Sequence, residues 1–339
     1  MVRQISFKYE LLNINNTHKK WLKTVKSCDI QWQSLTQLKS SAKISMRKDD
    51  DVDYMNDRVR IYRVENGVEQ ILGTFLLCSS NDDENGYNVT NKDCECYSLL
   101  KILLDDKLEQ TYQVVAGTNV VNEVIRLIGI SNAYNIPLSN KVLLTAKTYK
   151  AGTTYLDVIN DLLDTINYTA LYTDKMGVYV SKPYVLPQDR EIEFTWKCDI
   201  NGLIRPDKNR SLDAFNIPNV FAVSTNDINI NPPLTHTYVN DNPSSPTSTV
   251  SRGRRIVQTA TVDTTSIDDL VVKAKAMCVE ANSVYEHIEF DKAFVGNLEF
   301  YMDCGFIIDS KYIIYNISYK CAIGEDMHIK ARKAVELLG

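Results

Sequence analysis

The chain has 339 residues, 44% of them apolar and 24% charged, with 38 Lys and Arg against 43 Asp and Glu and a formal net charge of −5. One hydrophobic core rarely serves such a length, so two or three domains are expected, and the apolar share excludes global disorder. The acidic balance argues against broad electrostatic capture of nucleic acid or of an anionic membrane, and no run of about 18 apolar residues is present to span a bilayer.

The first nine residues lack a basic stretch followed by an apolar one, so synthesis and retention in the cytosol are expected unless a larger assembly carries the protein out. In that reducing compartment the eight cysteines, at 28, 78, 94, 96, 198, 278, 304 and 321, are expected as thiols, most of them small core residues.

Residues 1–108 read mostly as strands. Ala42 to Met46, Val59 to Val64 and Leu72 to Cys78 are rich in β-branched and aromatic residues. Turns separate them at Glu65-Asn66-Gly67 and across Asn81 to Gly86, the Asn-Gly pair being a strong hairpin signal because tight hairpins need positive φ. A small antiparallel barrel or sandwich is expected, closed by a short helix within Tyr97 to Leu108 that carries Leu99, Leu100, Leu103 and Leu104 on one side.

Residues 109–184 change period and hold an internal repeat: Ala116-Gly117-Thr118-Asn119-Val120-Val121 returns 35 residues later as Ala151-Gly152-Thr153-Thr154-Tyr155-Leu156. Val120, Val121, Val124, Leu127 and Ile128 match Tyr155, Leu156, Ile159, Leu162 and Leu163, which is the spacing of one helical face. Thr118 or Asn119, and Thr153 or Thr154, are candidate N-caps. Strands at Thr111 to Val115, Val142 to Ala146, Thr169 to Thr173 and Val178 to Ser181 complete an α/β module of two helices on one sheet. A phosphate site at Gly117 or Gly152 is the sharper alternative, although neither copy has a nucleotide loop's glycine spacing or lysine.

After Pro187 the sequence reads as irregular, a connector over 185–215. Residues 216–339 then give a second β-rich region. It holds a strand at Val220 to Ser224 and a Pro- and Ser-rich surface loop over 226–251. A basic run follows at Arg252, Arg254 and Arg255, which reads as a solvated face with phosphate binding as the alternative. A helix opens at Ser266, where Ser266 and Asp269 make a capping-box pattern and Ile267, Leu270, Val271, Ala274, Met277 and Cys278 form a stripe. Strands follow at His287 to Phe290, Gly305 to Asp309, Lys311 to Tyr319 and Met327 to Ala331.

Little in the chain points to chemistry. His18, His236, His287 and His328 lie in no metal-binding spacing. Cys94 and Cys96 share one side of a strand but have no second pair nearby to complete a tetrahedral set. Asp49, Asp51 and Asp53 begin like a calcium loop, which then requires Gly and Glu where Tyr54 and Arg60 stand. Asp105 with Asp106, and Asp161 with Asp164, fall on polar helix sides. No catalytic, cofactor-binding or metal-ligating residue is therefore assigned, no cofactor is expected, and the chain is read as a non-enzyme.

The order of features resembles the baseplate hub family of phage and prophage tails, including the hubs of bacteriocin-like contractile particles. The resemblance runs through Ser41-Ala42-Lys43-Ile44, Asp57 to Tyr62, Leu72 to Leu76, Cys96 to Leu100, the paired Ala-Gly-Thr helix starts and Tyr172 to Gly177. It continues through Ile217 to Val220, Asn242 to Pro246 and Tyr315 to Tyr319. Ser98 stands where the family usually shows Asp.

The resemblance implies an α+β, mostly β fold: two antiparallel barrel-like tube domains, one over 1–108 with residues from 185–215 available to complete it and one over 216–339, with the small α/β domain of 109–184 inserted between them. It further implies a homotrimer whose six barrels line a channel and join the tail tube to a central spike. The implied partners are the tube or tube-initiator protein, the spike, the tape-measure protein and the baseplate wedge proteins. No specific nucleic-acid binding is implied, though DNA passes through such a channel, and no stable membrane insertion. The end of the chain at Gly339, soon after the last strand, favours a compact hub of a contractile tail, assembled in the bacterial cytoplasm and then carried on the particle. A tail-tip peptidoglycan hydrolase and a carbohydrate-binding module are the alternatives, the latter resting on Trp21, Trp32 and Trp196.

Overall fold

The computed structural model describes residues 4–49, 51–85, 89–129, 131–186, 189–196, 204–212, 215–225, 230–283, 286–294, 305–307 and 310–334. Seven strands come first: β1 (Ile5–Leu12), β2 (His18–Leu22), β3 (Val25–Gln33), β4 (Ser40–Arg47), β5 (Arg58–Glu65), β6 (Val68–Asn85) and β7 (Val89–Tyr97). They pair antiparallel in the order β3-β4-β7-β6-β5-β1-β2. Asn66 and Gly67 turn β5 into β6 with φ of 50° and 85°, the left-handed pair that a two-residue hairpin requires. The turn expected across Asn81 to Gly86 does not begin there, because β6 stays paired with β7 through Asn85; Gly86 lies outside the described residues.

The middle of the chain forms α1 (Leu100–Asp105), β8 (Tyr112–Val114), α2 (Val120–Ile128), β9 (Tyr134–Asn135), β10 (Lys147–Tyr149), α3 (Tyr155–Thr165), β11 (Tyr172–Thr173) and β12 (Tyr179–Val180). Asn119 and Thr154 are the caps, accepting the Asn122 and Asp157 amides, and the expected face of each helix is buried, with Tyr155 at its margin. Gly117 and Gly152 take φ of 83° and 87°, which lets the chain enter each helix sharply.

The two copies are also laced together reciprocally. Gly117 donates its amide to Leu143 (2.7 Å) and Gly152 to Leu108 (2.8 Å), while Leu143 donates to Thr118 and Leu108 to Thr153, both at 2.9 Å. The expected single sheet is instead two: an antiparallel β8–β10 pair and a three-stranded sheet ordered β11-β12-β9. Val142 to Ala146 is not a strand, and Val142 makes only a bridge to Asn119, because that segment closes the lacing instead. Leu99, Leu100 and Leu103 of the α1 region pack into this module's core rather than closing the first strands.

The remainder holds β13 (Ile192–Thr195), β14 (Ile204–Leu212), β15 (Val220–Thr225), β16 (Thr235–Val239), α4 (Thr249–Arg252), β17 (Val257–Val262), α5 (Ile267–Ser283), β18 (Glu286–Lys292), β19 (Gly305–Ile307), β20 (Lys311–Lys320) and β21 (Met327–Lys333). The stretch after Pro187, irregular by sequence, therefore supplies two strands. Pro206 is tolerated in β14 because the strand lies at the sheet edge and its register with β18 shifts between Ile204 and Lys208.

The expected loop over 226–251 contains β16 and α4, since its prolines flank the strand rather than interrupt it. Asn240, Thr247 and Ser248 are buried there, and Asn219 donates to the Thr247 carbonyl at 3.2 Å. In α5 the stripe runs through Leu270, Ala274, Met277 and Cys278, but Ile267 at its start is 45% exposed. Ser266 caps the Asp268 amide at 3.2 Å, while Asp269 accepts from the Thr264 hydroxyl at 2.7 Å, so the capping box is half formed. The helix covers a separate sheet ordered β16-β15-β17, through Phe221 and Val223.

One pairing decides the architecture. β20 lies antiparallel beside β3, from Asn316 opposite Gln33 to Lys320 opposite Asp29, and so joins strands from the two ends of the chain. The result is a 13-stranded sheet whose main path runs β14-β18-β21-β20-β3-β4-β7-β6-β5-β1-β2, with β19 and β13 branching from β20. Residues from both ends fill one continuous core, in which Ile30 and Trp32 join Phe290, Ile317 and Ile329. The fold is α+β and mostly β, with large antiparallel sheets.

Candidate functional site: a polar face across the long sheet

The residues singled out by sequence do not converge. The His18 Nδ1 lies 2.9 Å from Glu10, the His328 Nδ1 lies 2.8 Å from Asp291, and the His287 ring meets Tyr315 edge-on at 5.6 Å. His236 sits on β16 opposite Val223. Cys94 and Cys96 share the core side of β7, and burial holds the Cys96 thiol well above its ordinary pKa. Among the described residues no three His, Cys, Asp or Glu side chains are grouped to hold a metal ion.

The acidic pairs are taken up by structure. Lys20 Nζ lies 2.5 Å from Asp49 and 3.2 Å from Asp51, and its hydrogen bond holds the Asp49 carboxyl below the usual aspartate pKa. Asp53 turns away to accept the amides of Met55 and Asn56 at 3.0 and 3.2 Å. Asp105 pairs with Lys101, and Asp106 is exposed. Asp161 accepts from Lys147 (2.7 Å) and Tyr149 (2.6 Å), and Asp164 from Lys273 of α5 (2.7 Å).

The phosphate readings meet the same fate. The amides of Gly117 and Gly152 bond the partner repeat's carbonyls, and those of Val120 and Tyr155 bond Lys141 and Asp106. A helix N-terminus draws anions with its open amides, and in each helix the first amide goes to a carbonyl and the third to the capping side chain. Arg252 and Arg254 donate to the carbonyls of Ile217 (3.0 Å) and Phe215 (2.9 Å), tying α4 to the start of β15, while Arg255 faces solvent. Trp32 and Trp196 are buried. Trp21 is 42% exposed on β2, beside Tyr62 at 5.7 Å between ring centroids.

The extended feature is a face. Across β18, β21, β3, β4 and β7, and in β20 beyond the irregularity between Ile314 and Asn316, residues alternate between the core side and the outward side, Asn316 being an outward-side residue that is buried. Ile288, Ile329, Ile317, Ile30, Ile44 and Cys94 point inward, and Glu289, Lys330, Ser318, Gln31, Lys43 and Glu95 point outward. The outward residues form an unbroken polar ribbon, crossing from the C-terminal strands to the N-terminal ones through the β20–β3 pair. Its charges meet across strands, Lys330 with Glu289 at 2.9 Å and Lys43 with Glu95 at 3.8 Å. A shallow hollow on it is lined by Asp29, Gln31, Lys43, Ser318, Lys320 and His328. Mixed signs suit a wetted surface with no preference for one ligand. Sequence reasoning missed it because the ribbon exists only once β20 and β3 are neighbours; the alternation within each strand was the available signal.

Among the contacts that fix the middle module to this sheet are the Gln37 to Asp157 hydrogen bond at 2.9 Å and one turn, at Asp174 to Gly177. Arg60 Nε donates to Thr74 Oγ1, and Thr74 Oγ1 donates to the Lys175 carbonyl, both at 2.9 Å. Arg60 also reaches the Met176 carbonyl at 3.2 Å.

No protein family model and no curated protein matches the chain by sequence. Solved structures match it nearly end to end. A tail protein from Neisseria meningitidis MC58 superposes with a TM-score of 0.68 at 11% identity, over 97% of this chain and 97% of that one. The chain has a phage-tail-protein fold. The 43 kDa tail protein of prophage MuSo2 from Shewanella oneidensis gives 0.63 at 8% identity, over 96% of this chain and 98% of that one. The E. coli c3393 protein, a component of the type VI secretion system with structural similarity to the T4 bacteriophage tail proteins gp27 and gp5, gives 0.54 at 9% identity, over 93% and 76%. These likenesses bear out the α+β, mostly β tail-protein fold class that the sequence resemblance implied.

Proposed function

We propose that the chain is a non-enzymatic structural subunit of a phage tail or tail-like particle, placed as a baseplate hub between the tail tube and the central spike. The observation that carries this reading is the end-to-end correspondence with solved tail proteins, which spans both ends of the chain and the inserted module alike. The polar ribbon supports it: a channel that passes a cargo without holding it needs a wetted wall of mixed charge, and the outward side of the six central strands has that character.

In the proposed assembly three copies form a ring. The strands before residue 109 and those of the C-terminal region act as two barrel-like tube elements, residues 185–215 add β13 and β14 to them, and the module of 109–184 sits outside. The edges at β2 and β14, which end the sheet among the described residues, find partners in neighbouring proteins rather than in open-ended polymers. The tube, spike, tape-measure and wedge proteins are the partners of such a ring. Deleting the gene in a particle-producing cell tests the reading: loss of intact tails with normal cell growth is expected, and normal particles lacking this chain would refute it.

A further inference from the structure

We propose that Cys28 and Cys321 are a latent cross-strand disulfide that, on oxidation, staples the N-terminal strands to the C-terminal ones. Cys28 lies in β3, and Cys321 follows the last residue of β20. Lys320 stands opposite Asp29, so the next antiparallel pair is Cys321 with Cys28, and the Cys321 amide donates to the Cys28 carbonyl at 2.8 Å. Residues directly opposite in an antiparallel pair have Cα atoms about 4.5 to 5.5 Å apart, inside the range a disulfide spans.

The two side chains lie on the same, inward side of the sheet, both are free thiols, and both are buried in the same core. Among the described cysteines no rival partner is as well placed on this register. Cys94 lies opposite Ile44, which lies opposite Cys28, so a full strand separates Cys94 from Cys28.

Burial, the neighbouring thiol and Asp29 hold the Cys28 thiol protonated, which keeps the pair reduced in a thiol-rich medium. A small neutral peroxide supplies the oxidant. The sulfur of Cys321, a residue 8% exposed against 1% for Cys28, attacks the peroxide oxygen and releases water, leaving a sulfenic acid. The Cys28 sulfur then attacks that sulfur, the S–S bond forms, and the hydroxyl leaves as a second water with the Cys28 proton. Two thiols lose two hydrogens and the peroxide is reduced to two waters. The link would close nearly the whole chain into one loop, restricting the unfolded state, and would lock the β20–β3 seam.

The test is oxidation of the full-length folded protein with hydrogen peroxide, alkylation of remaining thiols, and peptide mapping without reductant. The expected result is a Cys28–Cys321 linked peptide, a higher urea midpoint that reductant reverses, and neither effect in Cys28→Ser. Separate alkylation or over-oxidation of Cys28 and Cys321 under conditions that oxidise the more exposed Cys78 would overturn the proposal. So would a link between other cysteines that raises the midpoint equally in Cys28→Ser. Cys321→Ser gives a second variant should Cys28→Ser fold poorly.

Discussion

Gln113 and Thr148 lie directly opposite one another in the β8–β10 pair, and they occupy the same position of the two repeat copies, 35 residues apart. The axis that pairs these two residues therefore relates the copies, and the same relation accounts for every rung of the lacing: Gly117 to Leu143 mirrors Gly152 to Leu108, and the bridge of Asn119 to Val142 mirrors that of Thr154 to Lys107. Each copy supplies the strand and carbonyls that finish the other.

Equivalent substitutions in the two copies should therefore have matching effects. Asn119→Ala and Thr154→Ala each remove a cap that accepts a single amide, and each should cost about 1 kcal/mol. Urea titration of both variants checks this, and a large difference between them would break the symmetry.

Inside the module, Val124→Asp or Ile159→Asp would place a carboxylate where the native side chain has no exposure. A loss of more than about 3 kcal/mol, or failure to fold, is expected, because an unpaired buried charge is among the costliest substitutions. Thermal melting would read it, and unchanged stability in both would contradict the helix faces.

The joint between module and sheet should loosen in Thr74→Val. The substitution strands the Lys175 carbonyl and Arg60 Nε at a position only 2% exposed, at a cost of about 1 to 3 kcal/mol. Hydrogen exchange should quicken at the amides of Gly177 and Val178 while those of β20 and β3 stay protected.

Acid should release the Lys20–Asp49 contact. Because the folded-state pKa of Asp49 lies below its ordinary 3.8, the pair stabilises the fold above that value, and the contribution is lost as pH falls through the depressed one. Asp49→Asn should remove this part of the acid dependence below about pH 4 while leaving the neutral-pH fold intact. Urea midpoints measured across the acid range would show a flatter slope in the variant.

Local features were legible in the sequence where local physics sets them. Asn66-Gly67 announces its turn, and the Ala-Gly-Thr repeat announces two helices with their buried faces. What was not legible depends on distant pairing. The polar β14 gains strand character from the edge of β18, and β16 sits between proline pairs that look like loop. The 142–146 segment is apolar like a strand but is used to lace the repeat. The candidate face was hidden for the same reason, since Gln31 and Ser318 become neighbours only through the β20–β3 register.

The mass of the particle the chain forms decides whether the chain is the proposed threefold hub subunit. Light scattering, alone at high concentration and with a tail-tube or spike partner, followed by particle imaging, should give three copies in a ring with a central channel walled by the ribbon of Gln31, Lys43 and Ser318. A chain that stays monomeric under both conditions, or images with twofold symmetry, would contradict it.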